Sequence, residues 1–399
     1  MKKDWEIKKL GEVCLVAAGQ GAPQGENNYS NEGTPFVKAG NLVELLEGKS
    51  ETEIQQVNET VAKKYKLKKY KSGSVLFAKS GMSCMKGYVY TLKNDSYVVS
   101  HLAVLTPFDC LSSFLNYYLQ FVKTYSMVKD AAYPTISLED INNLAIPIPP
   151  LEEQKRIVKI LDEKFAQLES LKANAQTNLQ NAKDLFQSQL AKSFVFPQGN
   201  TNTTWGKAKL EDIALDFSRG KSKHRPRNDK CLFGGDYPFI QTGDIRNADK
   251  YVTDYSETYN ETGLAQSKLW PAGTLCITIA ANIAETAILS FPCCFPDSVI
   301  GFIPNEKLTT VDFVYYLIQF FKSELQKLSK GAAQDNLNLA KFENMNFPLP
   351  PLSEQKRIVK ELDTLSEKTK ALQNIYEQML LDCEELKQSL LAKAFEGNL

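Results

Sequence analysis

The sequence predicts a mixed α/β fold in which two similar α/β domains are each followed by a long α-helix. The first observation is an internal repeat: residues 153–159 are identical to residues 354–360, at an offset of 201, which indicates a tandem duplication. The second is that residues 151–194 and 352–395 align without a gap and contain neither proline nor glycine. The third is that the chain before each of these stretches runs in short apolar segments broken by Gly, Asn and Pro, a pattern typical of strands and loops.

These observations predict five segments along the chain. In order they are an N-terminal α/β domain (1–150), a central long helix (151–196), a polar linker (197–204), a C-terminal α/β domain (205–350) and a C-terminal long helix (351–399). Matching landmarks relate the two domains. Residues 73–77 and 273–277 look like strands that follow a glycine turn, and residues 114–121 and 313–320 look like amphipathic helices.

Between the landmarks the two domains differ. Residues 17–33 and 217–236 share little beyond glycine and polar content. Because binding residues are often carried on loops that a rigid framework positions, two copies of one framework with divergent loops predict two binding sites of the same kind and different specificity.

Each long helix begins after a pair of prolines, Pro149-Pro150 or Pro350-Pro351, which fit just before a helix and not within it. At about 1.5 Å per residue, each helix would be roughly 66 Å long. Apolar residues then recur every seven positions, which is coiled-coil patterning, so we expect the two helices to pair with each other. The series are Leu161, Leu168, Ala175 and Ala182, with Leu171, Leu179 and Leu185, in the first helix, and Leu362, Thr369, Tyr376, Cys383 and Leu390, with Leu365, Leu372, Met379 and Leu386, in the second.

The composition argues against several classes of protein. With 47 basic and 47 acidic residues the chain has no overall basic field, although local patches can still bind phosphate. Its eight cysteines are scattered, so we expect neither a metal site nor a disulfide framework, and a cytoplasmic location. The N-terminus lacks the apolar run of a signal peptide. The most apolar segment, 274–291, is interrupted by Asn282 and Glu285 and fits buried strands better than a membrane span.

Catalytic motifs are missing from the sequence, and we expect no catalytic residue. Gly48-Lys49-Ser50 and Gly220-Lys221-Ser222 lack the upstream glycine of a phosphate-binding loop. Every Pro-Pro is followed by Leu, so the adenine-methyltransferase signature is absent. Asp297 follows a proline, as in restriction nucleases, but no Glu-x-Lys follows at a suitable spacing. The two histidines, His101 and His224, suit a structural or DNA-contact role better than acid–base catalysis.

The starts of the two helices resemble those of a known family. Residues 147–157 read Pro-Ile-Pro-Pro-Leu-Glu-Glu-Gln-Lys-Arg-Ile, and residues 348–358 read Pro-Leu-Pro-Pro-Leu-Ser-Glu-Gln-Lys-Arg-Ile. Each motif closes a variable α/β domain and opens a long helix. In this order and spacing the chain resembles, over essentially all 399 residues, the specificity subunit of type I restriction-modification systems.

The resemblance implies a function. Each α/β domain would be a target recognition domain that reads one half of a split sequence in double-stranded DNA. The two helices would form an antiparallel coiled coil that separates the half-sites and docks two methyltransferase (M) subunits, with restriction and translocase (R) subunits joining the complex. This chain would bind no cofactor, and S-adenosylmethionine, ATP and Mg would belong to the partner subunits.

Two basic clusters are candidates for contact with DNA. Residues 63–71 interleave lysine with tyrosine, which fits phosphate contact or a solvated helix turn. Residues 219–228 are more basic and cannot form a regular helix through Gly220 and Pro226. So many cations in one loop repel each other unless an anion joins them, so we predict DNA contact there, the alternative being a solvated loop. Arginine suits guanine and asparagine suits adenine; the predicted residues are Lys221, Lys223, His224, Arg225, Arg227 and Asn228.

Other loops supply further candidates. The counterpart loop of the N-terminal domain carries amides, which suit adenine edges or an ordinary polar turn: Gln20, Gln24, Asn27 and Asn28. The family places the loop after the glycine-led strand near DNA, which adds Lys79, Ser80 and Lys86 in one domain and Asn282 in the other, where the usual basic, glycine-containing form is absent. Gln241, with Lys38 at the matching position, completes the set.

Two alternatives keep the architecture and change the role. The chain could serve a related system in which methyltransferase and nuclease are fused, which genomic neighbours would decide. It could also be a coiled-coil scaffold that binds protein and not DNA, which a DNA-binding assay with a candidate methyltransferase would decide.

Overall fold

The computed structural model describes residues 5–194, 205–280, 283–327 and 342–399. Contacts divide the chain into compact unit 1, formed by Met1–Gln176 and Glu377–Leu399, and compact unit 2, formed by Thr177–Tyr376. Each compact unit therefore contains one α/β domain and a part of both long helices. The predicted linker at 197–204 and the predicted reader Asn282 lie outside the described residues.

Compact unit 1 contains nine described strands and five described short helices before the first long helix. The strands are β1 (Glu6–Lys9), β2 (Cys14–Ala18), β3 (Thr34–Val37), β4 (Gln56–Val57), β5 (Val75–Ala78), β6 (Val89–Thr91), β7 (Tyr97–Val98), β8 (Leu102–Pro107) and β9 (Ala145–Ile148). The helices are α1 (Leu10–Val13), α2 (Asn41–Leu46), α3 (Glu59–Lys64), α4 (Ser112–Val122) and α5 (Leu138–Asn143). The sheets have the strand orders β2-β8-β5-β6, β4-β3-β7 and β1-β9.

Compact unit 2 repeats this plan. Its strands are β10 (Gly206–Ala208), β11 (Ala214–Arg219), β12 (Phe233–Phe239), β13 (Tyr251–Val252), β14 (Glu257–Tyr259), β15 (Leu275–Thr278), β16 (Thr286–Leu289), β17 (Val299–Pro304) and β18 (Phe347–Leu349). Its shorter helices are α7 (Thr242–Asn247), α8 (Glu261–Ala265) and α9 (Val311–Lys327). The sheets have the strand orders β11-β17-β15-β16-β13, β12-β14 and β10-β18.

The strand that follows the glycine turn lies inside the main sheet of each domain. All four residues of β5 are buried, and so are all four of β15, as expected for a short apolar run covered on both faces. Each strand pairs antiparallel with a neighbour on both sides. The amphipathic helices α4 and α9 pack into the same hydrophobic cores. The predicted mixed α/β fold is confirmed.

The long helices are α6 (Leu151–Phe194) and α10 (Leu352–Phe395). In compact unit 1 they run antiparallel, because Lys172 Nζ lies 2.6 Å from Glu384 Oε1 while Arg156 Nη2 donates to the carbonyl of Leu399 at 2.8 Å. In compact unit 2 the end of α6 and the start of α10 likewise share one core, which contains Phe194 and Leu362. The predicted pairing of the two helices is confirmed.

One heptad series of each helix forms the buried seam. Its buried members are Leu161, Leu168, Ala175 and Ala182 in α6 and Leu362, Thr369 and Cys383 in α10. Leucines of the other series face solvent at equivalent positions: Leu171 and Leu372 are 43% and 39% exposed, and Leu185 and Leu386 are 52% and 49% exposed. In each long helix, therefore, residues of one seven-residue series are buried and leucines of the other series are exposed.

Each α/β domain is completed by the end of the long helix that follows the other domain. Phe395, at the end of α10, is 3% exposed and packs on Phe114, Tyr118 and Phe121 of α4, with ring centroids 5.2–5.4 Å apart. Phe194, at the end of α6, packs in the same way on α9. Such aromatic pairs add to the stabilisation from burying apolar area.

The glutamine of the repeated motif clamps the start of each long helix. Gln154 is buried; its Oε1 accepts from the Leu111 amide at 3.0 Å and its Nε2 donates to the Pro149 carbonyl at 2.9 Å. Gln355 is also buried and makes corresponding contacts, accepting from Thr309 Oγ1 at 3.0 Å and donating to the Pro350 carbonyl at 2.9 Å. The motif thus ties the long helix to the segment that opens α4 or α9.

A tyrosine–aspartate bond fixes each long helix about two turns further along. Tyr117 of α4 donates to Asp162 at 2.5 Å, and Tyr316 of α9 donates to Asp363 at 2.6 Å. The pKa of both tyrosines is raised, mainly by burial of the hydroxyl group and to a smaller extent by its hydrogen bond to the carboxylate. The two bonds differ in their surroundings. Lys250 Nζ lies 2.6 Å from Asp363 Oδ1 and places an ammonium group beside the second bond.

Candidate nucleic-acid interface

The candidate loops of the two domains start at equivalent positions of the framework, and a glycine occupies that position in each domain. A Cβ on Gly19 would lie 2.2 Å from the carbonyl oxygen of Val99, and one on Gly220 would lie 2.3 Å from that of Phe295. Real Cβ atoms do not approach that closely, so only glycine fits where one backbone passes so near another. Each glycine directly follows the first strand of its main sheet, β2 or β11, and the predicted polar residues come next.

In the N-terminal domain the predicted amides hold the loop in place. Gln20 Nε2 donates to the carbonyl of Lys66 at 3.0 Å, and its Oε1 accepts from the amide of Lys68. Asn28 Nδ2 donates to the carbonyl of Gln24 at 2.5 Å, and Gln24 in turn donates to a carbonyl two residues earlier. The bonds of Gln20, and a second one from Asn28 Nδ2 to the Tyr65 hydroxyl at 3.4 Å, hold the basic segment 63–71 against the loop, a juxtaposition that the sequence did not predict.

The basic segment itself is mostly not helical. Helix α3 ends at Lys64, and Lys66 has a left-handed φ of 52°. The helix-turn interpretation therefore holds for Lys63 and Lys64 alone. Asn27, the remaining predicted amide, is exposed in the same loop. The N-terminal domain thus presents amides from one segment and cations from another.

In the C-terminal domain the loop carries its cations close to acidic groups. Both terminal oxygens of Asp297 accept from Arg227 Nη2, at 2.6 and 2.8 Å. Arg225 Nη1 donates to backbone carbonyls of its own loop at 2.6 and 2.8 Å, and its other terminal nitrogen lies 3.9 Å from Asp297. Asp297 thus supplies an anion beside both arginines from within the chain, and DNA contact by this loop stays a prediction.

These pairs remain accessible. The side chains of Arg227 and Asp297 are 49% and 36% exposed, and an ion pair this exposed contributes about 1 kcal/mol or less. Lys221, Lys223 and Asn228 are exposed in the same loop. The cationic atoms can therefore exchange an internal carboxylate for an external anion at little cost.

His224 holds the far end of this loop. Its Nε2 lies 2.9 Å from Asp229 Oδ2, and the hydrogen bond from His224 lowers the pKa of Asp229. The amides of Lys223 and His224 both donate to Gln266 Oε1, at 2.7 and 3.1 Å. Donor atoms of His224, Asp229 and Cys231 lie within 4.8 Å of one another, and the absence of a metal stays a prediction.

Two small cavities gather predicted residues of the C-terminal domain. One, of about 220 Å³, lies between Arg219, Arg227 and the start of the loop after β15 at Ala280. The other, of about 160 Å³, is lined by Arg227, Asn228 and Gln241. Glu257 lines the second cavity too; it was not among the predicted residues, because no basic or amide cluster surrounds it in the chain.

The loop after β5 places the last N-terminal candidates. Ser80 Oγ lies 2.7 Å from His101 Nδ1, and the amide of Lys79 donates to the carbonyl of His101 at 2.9 Å. Lys86 is exposed, with its Nζ 6.0 Å from the ring centroid of Tyr88. His101 therefore orders this loop through Ser80 and Lys79, which fits the structural role considered for it.

Two similar α/β domains with divergent polar loops on one framework position define a protein with two recognition sites of one kind. The chain belongs to the family of type I restriction modification DNA specificity domains, whose model matches residues 2–179 and 202–380.

Individual relatives agree. The chain is 33% identical over 175 residues to the type I restriction enzyme MjaIX specificity subunit of Methanocaldococcus jannaschii, a match that covers 41% of this chain and 39% of that relative. It is 24% identical to the MjaVIII specificity subunit of the same organism, covering 97% of this chain and 90% of that one. A chain in a solved structure on complex assembly and conformational transition of the type I R-M system has the same fold, with a TM-score of 0.81 at 22% identity, covering 100% and 99% of the two chains.

Membership of this family settles the class of function. The chain is a DNA-recognition subunit of a type I restriction-modification system, and the prediction of a recognition role and not a catalytic one is confirmed. Within the described ranges, no helix has an apolar stretch of the length that a bilayer requires.

Proposed function

We propose that each α/β domain reads one half of a split DNA target and that the paired helices set the spacing between the halves. The observation that carries the proposal is that the candidate loops start at equivalent glycines, Gly19 and Gly220. Amides follow the glycine in one domain and cations follow it in the other. One framework with two different polar surfaces suits two half-sites of different sequence. Half-sites about one duplex turn apart, or ~34 Å, suit a protein with two like recognition elements.

The loops also suit the chemistry of duplex DNA. Exposed lysines and arginines release counterions from phosphates, so binding should weaken steeply with salt. Amides and guanidinium groups offer the paired donors and acceptors that base edges require in the major groove. The neutral overall charge concentrates this attraction in the loops.

The partners follow from the same family. We propose that the long helices dock two methyltransferase subunits, which bind S-adenosylmethionine and through which restriction subunits that use ATP and Mg join a cytoplasmic complex. Exposed leucines of the long helices, Leu171 and Leu386 in compact unit 1 and Leu185 and Leu372 in compact unit 2, support docking along the helices, since exposed apolar patches mark interaction surfaces. This chain itself would bind none of these cofactors.

A selection experiment tests the proposal. The chain would be purified with its methyltransferase subunit and incubated with random duplexes at several salt concentrations, and the bound sequences would be read. We expect two short conserved blocks separated by a fixed gap. A single continuous block would contradict the division of reading between two domains, and binding without sequence preference would favour the scaffold alternative.

A matched variant assigns each block to a domain. Replacing residues 221–228 with a Gly/Ser segment of equal length should erase one block and leave the other intact, because the N-terminal loop is unchanged. Loss of both blocks with an unchanged melting temperature would count against independent half-sites.

A further inference from the structure

The two domains place a polar side chain at one equivalent position across a strand pair. In the N-terminal domain the amide of Phe36, in β3, donates to the carbonyl of Gln55 at 2.9 Å. In the C-terminal domain Phe239, in β12, pairs with Glu257 of β14. The flanking pairs agree in register, since Pro35 faces Gln56 and the corresponding Pro238 faces Thr258. Gln55 and Glu257 are therefore structural counterparts.

Each counterpart bonds to the residue two places beyond that phenylalanine. Lys38 Nζ donates to Gln55 Oε1 at 2.6 Å, and Gln241 Nε2 donates to Glu257 Oε2 at 2.9 Å. The same contact is thus made in both domains with different chemistry. Gln55 and Gln241 are exposed, and Lys38 and Glu257 are half-buried, so all four can meet an external partner.

The candidate loops lie over both pairs. In the N-terminal domain Tyr29, which follows the amide loop, places its ring 4.2 Å from Lys38 Nζ and packs edge-on against Phe36. In the C-terminal domain Arg227 and Asn228 share one cavity with Gln241 and Glu257. Each pair therefore lies beside the candidate loop of its own domain, which starts at Gly19 or at Gly220.

Neither pair is an ion pair, and this distinguishes both from surface salt bridges. An amide faces the ammonium group of Lys38, and another amide faces the carboxylate of Glu257. Each pair therefore keeps one formal charge, positive in Lys38–Gln55 and negative in Gln241–Glu257. A carboxylate is repelled by phosphates, so at a DNA surface it suits a base edge that offers hydrogen-bond donors.

We propose that Lys38 with Gln55, and Gln241 with Glu257, determine one base each in the two half-sites. This inference rests on the proposed half-site function. Lys38 and Gln55 present N–H donors, which match the O6 and N7 acceptors of guanine. Gln241 and Glu257 keep free oxygen acceptors, which match the exocyclic amine of adenine or cytosine.

Exchanging the pairs tests the assignment in the complex with the methyltransferase subunit. One variant carries Lys38→Gln with Gln55→Glu, and a second carries Gln241→Lys with Glu257→Gln. We expect the first to change the preferred base at one position of one half-site, from guanine to adenine or cytosine, by roughly 5- to 150-fold in relative affinity. The second should make the opposite change in the other half-site.

A single change at an exposed residue tests the same assignment with little effect on stability, since Gln55 is exposed. Gln55→Glu would form an ion pair with Lys38 and occupy the ammonium group, so the preference for guanine should fall by at least about 5-fold. Lys8→Gln is the control, because Lys8 pairs with Asp109 beside β1, outside the candidate loops, and should change no base preference.

The outcomes separate the two proposals. A change confined to one base position supports the assignment. Unchanged base preferences, or an equal loss of affinity for every sequence, would overturn it while leaving the half-site function intact. A wild-type complex without any sequence preference would instead reject the half-site function on which the assignment rests.

Discussion

Replacing Phe395 with alanine tests whether the C-terminal helix stabilises the N-terminal domain. The side chain is 3% exposed, and its ring contacts Phe114, Tyr118 and Phe121 at centroid distances of 5.2, 5.2 and 5.4 Å. A buried Phe→Ala change costs about 3–5 kcal/mol. Because three aromatic contacts are lost together, we expect a value near the upper end, about 4–5 kcal/mol, in the free energy of unfolding of compact unit 1.

Hydrogen exchange measured by mass spectrometry locates the effect. Peptides that contain β5 report on compact unit 1, and peptides that contain β15 report on compact unit 2. In the Phe395→Ala chain the amides of β5 should lose protection, because local opening reflects the stability of the surrounding core. The amides of β15 should keep theirs.

Two variants serve as controls for this experiment. Phe194→Ala should produce the reverse pattern, with β15 affected and β5 spared. Leu381→Ala changes a residue on the same helix that is 61% exposed, and should alter stability by about 0.5 kcal/mol or less. Unchanged protection of β5 in the Phe395→Ala chain, or an equal loss in both strands, would show that Phe395 does not stabilise the N-terminal domain.

Four further predictions follow from the same structure. Arg227→Ala should weaken DNA binding by about 1–3 kcal/mol at one half-site only; competition with mutated half-sites measures this, and equal loss at both halves would reject it. Gln355→Ala leaves buried donors and acceptors without partners and should cost about 1–3 kcal/mol in a urea titration, where an unmoved midpoint would contradict the clamp. Gly220→Ala should abolish reading of that same half-site, whereas Gly206→Ala, whose Cβ would meet Leu349 at an ordinary 3.5 Å, should not. Deleting one heptad from both long helices should change the gap between half-sites and neither half-site, as mapped from methylated adenines; an unaltered gap would count against the spacing role.

The elements that local sequence patterns specify were predictable. The starts of α6 and α10 follow from the prolines before each helix, whereas the helices end at Phe194 and Phe395, short of the predicted 196 and 399. The buried strands β5 and β15 follow from the apolar residues 75–77 and 275–277, each shortly after a glycine turn. Each of these signals lies within a few residues of the element that it specifies.

Contacts between distant parts of the chain were not predictable in this way. Arg227 and Asp297 are separated by 70 residues, and in the sequence Asp297 suggested only an incomplete nuclease motif. Phe395 belongs by position to the last helix but by contact to the first domain. Glu257 has no distinctive neighbours, and its place beside Gln241 depends on the register of β12 and β14.

The amide loop shows a different limit. Gln20 and Asn28 have the side chains expected of base readers, yet the structure uses them to tie the loop to the basic segment. Residue type alone cannot distinguish an amide that bonds to its own chain from one that faces DNA. The counterpart pair at Lys38 and Gln55 becomes visible only when both domains are aligned by strand pairing.

The docking of Phe395 on α4 has a consequence for synthesis on the ribosome. The aromatic face of Phe114, Tyr118 and Phe121 emerges early, but the ring that covers it is made about 270 residues later. At roughly 5–20 residues per second, that aromatic face stays uncovered for about 15–55 s. The first domain to be translated is thus the last to complete its core. A nascent chain stalled before residue 395 would leave an exposed apolar surface that chaperones can bind.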